Sequence, residues 1–251
     1  MKTIAIGDLH GGLKGLKQLV DILKLNVDDQ LIFLGDYVDG WSESAQVIQF
    51  LIELSNSHKC IFIKGNHDVW CENWLRTIKP EQVWLEHGGK GTVESYEEFS
   101  EAEKRHHLDF FEHMKPYYID TKNRLFVHAG FTAMAGVKEE EFEKTFYFDK
   151  TLWETALTMD ARIDKDSEVY PMRLKQYNEI YIGHTPTLNF NSTEPMNAIN
   201  VWNVDTGAAF FGKLSAIDVD SKKVYQSEVL MELYPNEKGR NQHSLNEILK
   251  E

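Results

Sequence analysis

The chain has 251 residues, with 40 acidic against 27 basic side chains and a formal net charge of −13. That surplus excludes a long electrostatic contact with nucleic-acid phosphates or an anionic membrane, since both need clustered Lys and Arg. Hydrophobic residues at 42% and charged residues at 27% describe a folded globular protein, and two cysteines, Cys60 and Cys71, make neither a disulfide framework nor a four-thiolate zinc site.

Thr3 to Ile6 is a short apolar run ending in Gly7-Asp8, which reads as a buried strand feeding a turn. Leu13, Leu16, Leu19, Val20 and Leu23 then recur at helical spacing, with Lys14, Lys17 and Lys24 on the other side. Gln30 to Leu34 is a second strand, closed by Gly35-Asp36. Ser42 or Ser44 can cap a second helix whose core face is Val47, Ile48, Leu51 and Ile52. Cys60 to Ile63 is a third strand, running into Lys64-Gly65-Asn66-His67. Strand–helix–strand–helix–strand at this spacing requires right-handed crossovers and a parallel sheet. In such a sheet the functional crevice lies beyond the carboxyl ends of the strands. All three ends deliver polar side chains there: Asp8 and His10, Asp36 and Asp39, then Asn66, His67 and Asp68.

Val69 to about Lys115 has an interrupted helical pattern, an insert broken at Gly88-Gly89. Leu125 to Val127 is a further strand, ending in His128-Ala129-Gly130. The stretch from Lys138 to Asp166 is charge-rich helix or loop, with Glu139 to Glu141 as a solvated helix face. Ile180 to Ile182 runs into Gly183-His184-Thr185-Pro186. Ala198 to Val204, Phe210 to Asp218 and Val224 to Val229 read as antiparallel strands, the last two joined by a turn at Asp220-Ser221. The tail from Pro235 to Glu251 is polar and ends in a short helix. Without internal repeats or low-complexity linkers, residues 1–251 are expected to form one domain. Ile4-Ala5-Ile6 is too short for a signal-peptide core, and no run approaches the ~18 apolar residues of a membrane span. A cytoplasmic location is the corresponding expectation.

Five Gly-containing turns thus follow strands in order: GDLHG, GDYVD, GNHD, VHAG and GHTP. Their carboxylate, imidazole and amide side chains suit transition metals better than calcium or magnesium, which favour oxygen-only shells. Asp8, His10, Asp36, Asn66, His128 and His184 suffice for two ions if one carboxylate bridges. Two cations ~3.5–4 Å apart can activate a shared water and clamp phosphoryl oxygens.

With these turns in their order, the sequence resembles the calcineurin-like metallophosphoesterases, and within them the phosphoprotein phosphatase branch with its bacterial members. Trp84 to Tyr96, His107 to Phe131 and Asn203 to Asp218 share the likeness, so that it spans roughly Met1 to Asp218. It implies an α/β fold of two packed mixed β-sheets flanked by helices (α/β/β/α), with the site on loops at one edge. By the same resemblance Asp8 and His10 would hold a first metal, Asp36 would bridge, and Asn66, His128 and His184 would hold a second. The cofactors would be two divalent transition-metal ions, manganese first, with iron or zinc as alternatives. His67 would be the general acid for the leaving oxygen, and Asp39 would pair with it, a neighbouring carboxylate favouring the charged imidazole. An activated water would attack phosphorus in line, with no covalent phosphoenzyme.

The sequence departs from that branch at two places. Where its members usually continue GDxVD with Arg-Gly, this chain has Gly40-Trp41, and a second arginine expected after a Leu-Trp pair is Thr155. Two bidentate phosphate contacts are therefore missing, with Arg162, Arg173 and Arg76 as candidate substitutes. The expected function is hydrolysis of phosphate monoesters, with a bacterial-type protein serine/threonine phosphatase acting on a phosphorylated protein as first choice. The alternative is a small phosphoester substrate, either a dinucleoside polyphosphate or a phosphodiester. A non-enzymatic scaffold would be marked by lost metal ligands, and none of the six is lost.

Among the remaining residues, His58, His87, His106, His107, His113 and His243 match no ligand position and read as surface or packing residues. Cys60 reads as core. Trp41, three residues after Val38, is a candidate substrate contact, whereas the other tryptophans read as packing. Asp205 and Gly207 are expected to support the site rather than bind metal.

Overall fold

The computed structural model describes residues 1–250. Its first half alternates strand and helix: β1 (Thr3–Ile6), α1 (Leu13–Leu23), β2 (Gln30–Phe33), α2 (Ser44–Ser55) and β3 (Lys59–Phe62). The insert then supplies α3 (Asn66–Thr77), a short helical run α4 (Gln82–Trp84) that kinks through His87-Gly88, α5 (Lys90–Ser95) and α6 (Glu101–Glu112). Next come β4 (Tyr117–Ile119), β5 (Arg124–Val127), α7 (Lys144–Phe148), α8 (Thr151–Thr158), α9 (Met172–Lys175) and β6 (Glu179–Ile182). The last stretch holds β7 (Met196–Ala198), β8 (Val201–Asn203), β9 (Lys213–Asp218), β10 (Val224–Val229), α10 (Leu230–Leu233) and α11 (Leu245–Ile248).

The strands form two five-stranded mixed sheets, ordered β10-β9-β1-β2-β3 and β4-β5-β6-β8-β7. In the first, β1, β2 and β3 run parallel and β9 joins β1 antiparallel. In the second, β5, β6 and β8 run parallel, with β4 and β7 antiparallel at the edges.

The alternation of a strand explains how one sequence fills three layers. Ile4, Ile6, Leu31 and Phe33 point outward to a helix-covered core with Leu16, Leu19, Val47, Ile48 and Leu51. Ala5, Ile32, Phe126, Tyr181 and Ile217, from the opposite faces, fill the seam between the sheets. Leu125, Val127, Ile180 and Ile182 face the third layer with Leu152, Trp153 and Leu174. Phe126 and Tyr181, partners on the adjacent strands β5 and β6, stack side by side on the face turned to the seam, at 5.0 Å between ring centroids. This is the α/β architecture of two packed mixed sheets flanked by helices.

Four expectations change. The run from Ala198 to Val204 is not one antiparallel strand. Ile199 takes a left-handed φ of 56°, which turns the chain between β7 and β8, and β8 lies parallel to β6. The following strand begins at Lys213 rather than Phe210, because residues around Phe210 form a turn. Glu139 to Glu141 is not a continuous helix face, since Glu140 accepts hydrogen bonds from the backbone N–H groups of Thr132 and Ala133 and closes a loop. Ser44 begins α2 without capping it; its hydroxyl instead accepts from the Asp39 N–H. Among the described residues no helix is long and apolar enough to cross a membrane.

Candidate metal centre

The parallel strands end at one edge, where their loops turn sharply enough to bring side chains from five segments together. His10, Asp36, Asp39 and His184 all adopt left-handed backbone, with φ of 48°, 53°, 71° and 68°. Each such residue costs on the order of 1 kcal/mol or more, and such strain gathers at functional sites. Two glycines permit the close approach. A Cβ on Gly65 would lie 2.2 Å from Asp36 Oδ1, and one on Gly183 would lie 2.0 Å from Asp8 Oδ1.

All six residues named from sequence as metal ligands converge. Asp36 Oδ2 lies 3.8 Å from His10 Nε2 and 3.4 Å from His128 Nε2. Asp8 Oδ2 is also 3.8 Å from His10 Nε2. Asn66 Oδ1 sits 3.2 Å from His128 Nε2 and 3.0 Å from His184 Nδ1. Among the described residues, donor atoms gather into two groups, His10–Asp36–His67 and Asp36–His128–His184, with Asp36 common to both.

Hydrogen bonds away from the centre orient the imidazoles. His10 Nδ1 donates to the Asp39 carbonyl at 2.7 Å, and His128 Nδ1 donates to the Leu34 carbonyl at 2.8 Å. Each therefore turns a bare Nε2 lone pair inward, the arrangement found in histidines that ligate metals. His184 Nε2 is buried with no hydrogen-bond partner.

The electrostatics also call for cations. Asp8, Asp36, Asp68 and Asp205 are all at least 98% buried. Burial first, and then neighbouring carboxylates, push Asp8 well above the usual carboxylate range. Burial likewise drives Asp68 up to about 7 and Asp205 up to about 6. Against the upward push of burial, the imidazoles of His128 and His67 hold Asp36 well below that range. Burial pushes His10 and His184 down to about 3, so both present neutral rings. Crowded acidic oxygens and neutral imidazoles fit divalent cations of intermediate hardness.

His67 and Asp39 form a second unit beside these groups. His67 Nδ1 meets Asp39 Oδ2 at 2.6 Å. The insert holds that carboxylate from behind: Trp84 Nε1 donates to Oδ2 at 2.6 Å and the Thr92 hydroxyl to Oδ1 at 2.6 Å. Asp68 accepts the backbone N–H groups of Asp36, Tyr37 and Gly65, tying two of the loops together. Asp205 accepts from the Gly207 N–H within its own turn.

Several other expectations are corrected. Trp41 is fully buried, stacked on Tyr234 at 5.1 Å with its Nε1 donating to the Ala208 carbonyl, and cannot contact substrate. Gly40 has a φ of 139°, and a Cβ there would lie 2.9 Å from the His10 carbonyl oxygen, so an arginine cannot simply be restored. None of the proposed substitute arginines reaches the centre. Arg162 pairs with Asp160, and Arg76 with Glu72 and Glu112. Arg173 is buried in bonds to the Phe131 carbonyl, Thr151 and the Thr155 hydroxyl.

The guanidinium that does arrive comes from the polar tail: Arg240 Nη1 lies 3.0 Å from His67 Nε2. Sequence reading missed it because nothing in residues 235–251 carries a pattern. Trp84 and Thr92 were missed as supports of Asp39, although both lie in the segment Trp84 to Tyr96 that carried part of the resemblance.

Comparison with known proteins finds relatives along nearly the whole chain. The bis(5'-nucleosyl)-tetraphosphatase PrpE [asymmetrical] of Oceanobacillus iheyensis is 28% identical over 244 residues, covering 89% of this chain and 90% of that protein. A crystal structure provisionally described as a diadenosine tetraphosphatase superposes with a TM-score of 0.62 at 15% identity, covering 90% of this chain and 92% of the other. The cold-active protein-tyrosine phosphatase of a psychrophilic Shewanella species gives a TM-score of 0.55 at 13% identity, over 90% of this chain and 80% of the other. The fold is thus shared by enzymes of different substrates, and fold alone does not select among them. With the family model for calcineurin-like phosphoesterases matching residues 1–210, the chain belongs to that family and is a phosphoric ester hydrolase.

Proposed function

We propose that this enzyme is a two-metal phosphohydrolase whose substrate is a dinucleoside polyphosphate, acting as a single cytoplasmic domain. The observation that carries the two-metal reading is the Asp36 carboxylate, common to both donor groups. For the substrate, the similarity to a tetraphosphatase over most of both chains favours the small-molecule alternative over the protein phosphatase first expected. The chemistry at Gly40 and Thr155 supports the same choice. With no arginine at either position to grip the transferred phosphate, a substrate gains from carrying further phosphates and a nucleoside that bind elsewhere.

In this reading Asp8 and His10 hold one ion, Asn66, His128 and His184 hold the other, and Asp36 serves both, with manganese the first choice. When bound, such ions lower the pKa of a water and neutralise phosphoryl oxygens. The chain's own residues do the rest. Asp39 fixes the His67 ring through Nδ1, leaving Nε2 to pass a proton to the leaving oxygen. Trp84 and Thr92 keep Asp39 from turning. The buried walls around Asp8 and Asp36 limit stray water and strengthen every charge interaction inside.

The test is a side-by-side measurement of kcat/KM with manganese on a dinucleoside tetraphosphate, a phosphopeptide, an aryl phosphate and an aryl phosphodiester. The dinucleoside tetraphosphate should lead by at least roughly tenfold, the equivalent of one charge-assisted contact. A phosphopeptide leading instead would restore the protein phosphatase reading.

A further inference from the structure

The C-terminal segment does more than cover the core. Trp41 stacks on Tyr234, Glu237 accepts from the Ser42 N–H and hydroxyl at 2.9 and 2.8 Å, and the Arg240 N–H donates to the Ala209 carbonyl at 2.9 Å. These ties fix the backbone that carries Arg240, and its guanidinium lies 5.4 Å from the centre of the Phe210 ring. The segment forms one wall of a groove of about 690 Å³, and the kinked insert around His87 and Gly88 forms the other. That volume suits a ligand of nucleotide size. Lys90, Lys238 and Arg240 line it with Glu86, Glu94 and Glu237, so the lining is balanced in charge on a molecule whose net charge is −13.

The position of Arg240 relative to His67 settles which part of a substrate it meets. It donates to His67 Nε2, the same atom that would face the leaving oxygen. A group within reach of Nε2 is on the leaving side of the scissile bond. Resting on the proposed function, we infer that the groove between the C-terminal segment and the insert holds the leaving nucleoside polyphosphate, and that Arg240 turns from His67 to grip its phosphates. As the water oxygen bonds to phosphorus and the P–O bond breaks, negative charge grows on that leaving phosphate. A guanidinium there stabilises it with paired N–H donors. A phosphoanhydride gives a stable leaving anion, so charge stabilisation by Arg240 matters beside proton delivery by His67. Substrate binding also frees Nε2 for its own role.

The experiment uses manganese-loaded full-length protein and the non-hydrolysable probe adenosine 5'-(β,γ-methylene)triphosphate, with binding read by calorimetry. Arg240→Gln should weaken the probe at least roughly tenfold and weaken inorganic phosphate distinctly less, with Arg240→Lys in between because it restores charge without the fork. Circular dichroism and metal content check that each variant is folded and loaded. Equal probe affinity in the wild type and Arg240→Gln, an equal loss for probe and phosphate, or no binding of the probe to the wild type would each overturn the inference. Hydrolysis of a dinucleoside tetraphosphate by the wild type is measured separately. Its failure with the binding difference intact would reject the proposed substrate and leave the groove standing.

Discussion

Replacing Asp39 by asparagine removes a charge while the surrounding hydrogen bonds can all be kept. Oδ2 accepts from His67 Nδ1 and Trp84 Nε1, while Oδ1 accepts only from the Thr92 hydroxyl among side chains. An amide with its oxygen toward His67 and Trp84 points its NH2 at Thr92. That hydroxyl can then donate to Ser44 Oγ, 2.9 Å away. The fold should survive, and the difference falls on the interaction with a protonated His67. At an effective dielectric of ~20, a carboxylate 2.6 Å from an imidazolium is worth about 6 kcal/mol before desolvation. Without that carboxylate the His67 ring loses its orientation and its partner charge, and a positioned proton donor is worth roughly 10²–10⁴ in kcat. Asp39→Asn should therefore lower kcat by that factor on alkyl phosphates, keep its metal content, and lose less on aryl phosphates whose leaving groups need little protonation. A folded, metal-loaded variant within threefold of wild type on every substrate would refute the role of this pair.

Two further perturbations follow from the packing and from titration. Gly183→Ala places a Cβ against Asp8 Oδ1, a clash of an ångström or more. Metal content should fall toward one ion per chain at a stability cost of about 1–3 kcal/mol, and full occupancy with unchanged activity would show that Asp8 need not sit there. His107 is fully buried between the Tyr96 hydroxyl and the Gln49 amide oxygen, and burial, with His106 nearby, pushes it down to about 4. Its ordinary value is near 6.5, so the unfolded chain takes up the proton first as pH falls. The contribution of about 3 kcal/mol is complete above pH ~6.5 and is lost as pH drops toward 4. Denaturant unfolding of His107→Gln should lose correspondingly less stability than wild type over that interval, and parallel profiles would contradict the assignment.

What the sequence disclosed about the centre followed from strand ends. The three short apolar runs that end in Gly7-Asp8, Gly35-Asp36 and Gly65-Asn66 had to leave a parallel sheet at the same edge, so Asp8, Asp36 and Asn66 could be brought together from the sequence, whereas His128 and His184 joined them only through the ordered turns and the resemblance. The layered core was expected only through the resemblance, because runs such as Ile4-Ala5-Ile6 and Leu125-Phe126-Val127 are apolar on both faces and read simply as buried strands. What stayed hidden was tertiary. Trp41 stands on a metal loop, yet its ring is taken by Tyr234, 193 positions further along, which no local pattern encodes. Gly40 looked like a lost phosphate contact until its backbone angle and the nearness of His10 showed that a side chain has no room. Arg240 is one polar residue in a polar tail and gains meaning only from where Trp41 and Ala209 anchor that tail.

The central claim, that Asp36 joins two metal ions in one hydrolytic centre, is tested most directly by titrating metal-free protein with manganese while following bound metal and hydrolysis together. Activity should stay low through the first equivalent and rise to its maximum as the second binds. Asp36→Asn should bind fewer than two ions and lose most activity at any manganese concentration. Full activity at one ion per chain, or an Asp36→Asn variant that retains both ions and wild-type turnover, would contradict the account.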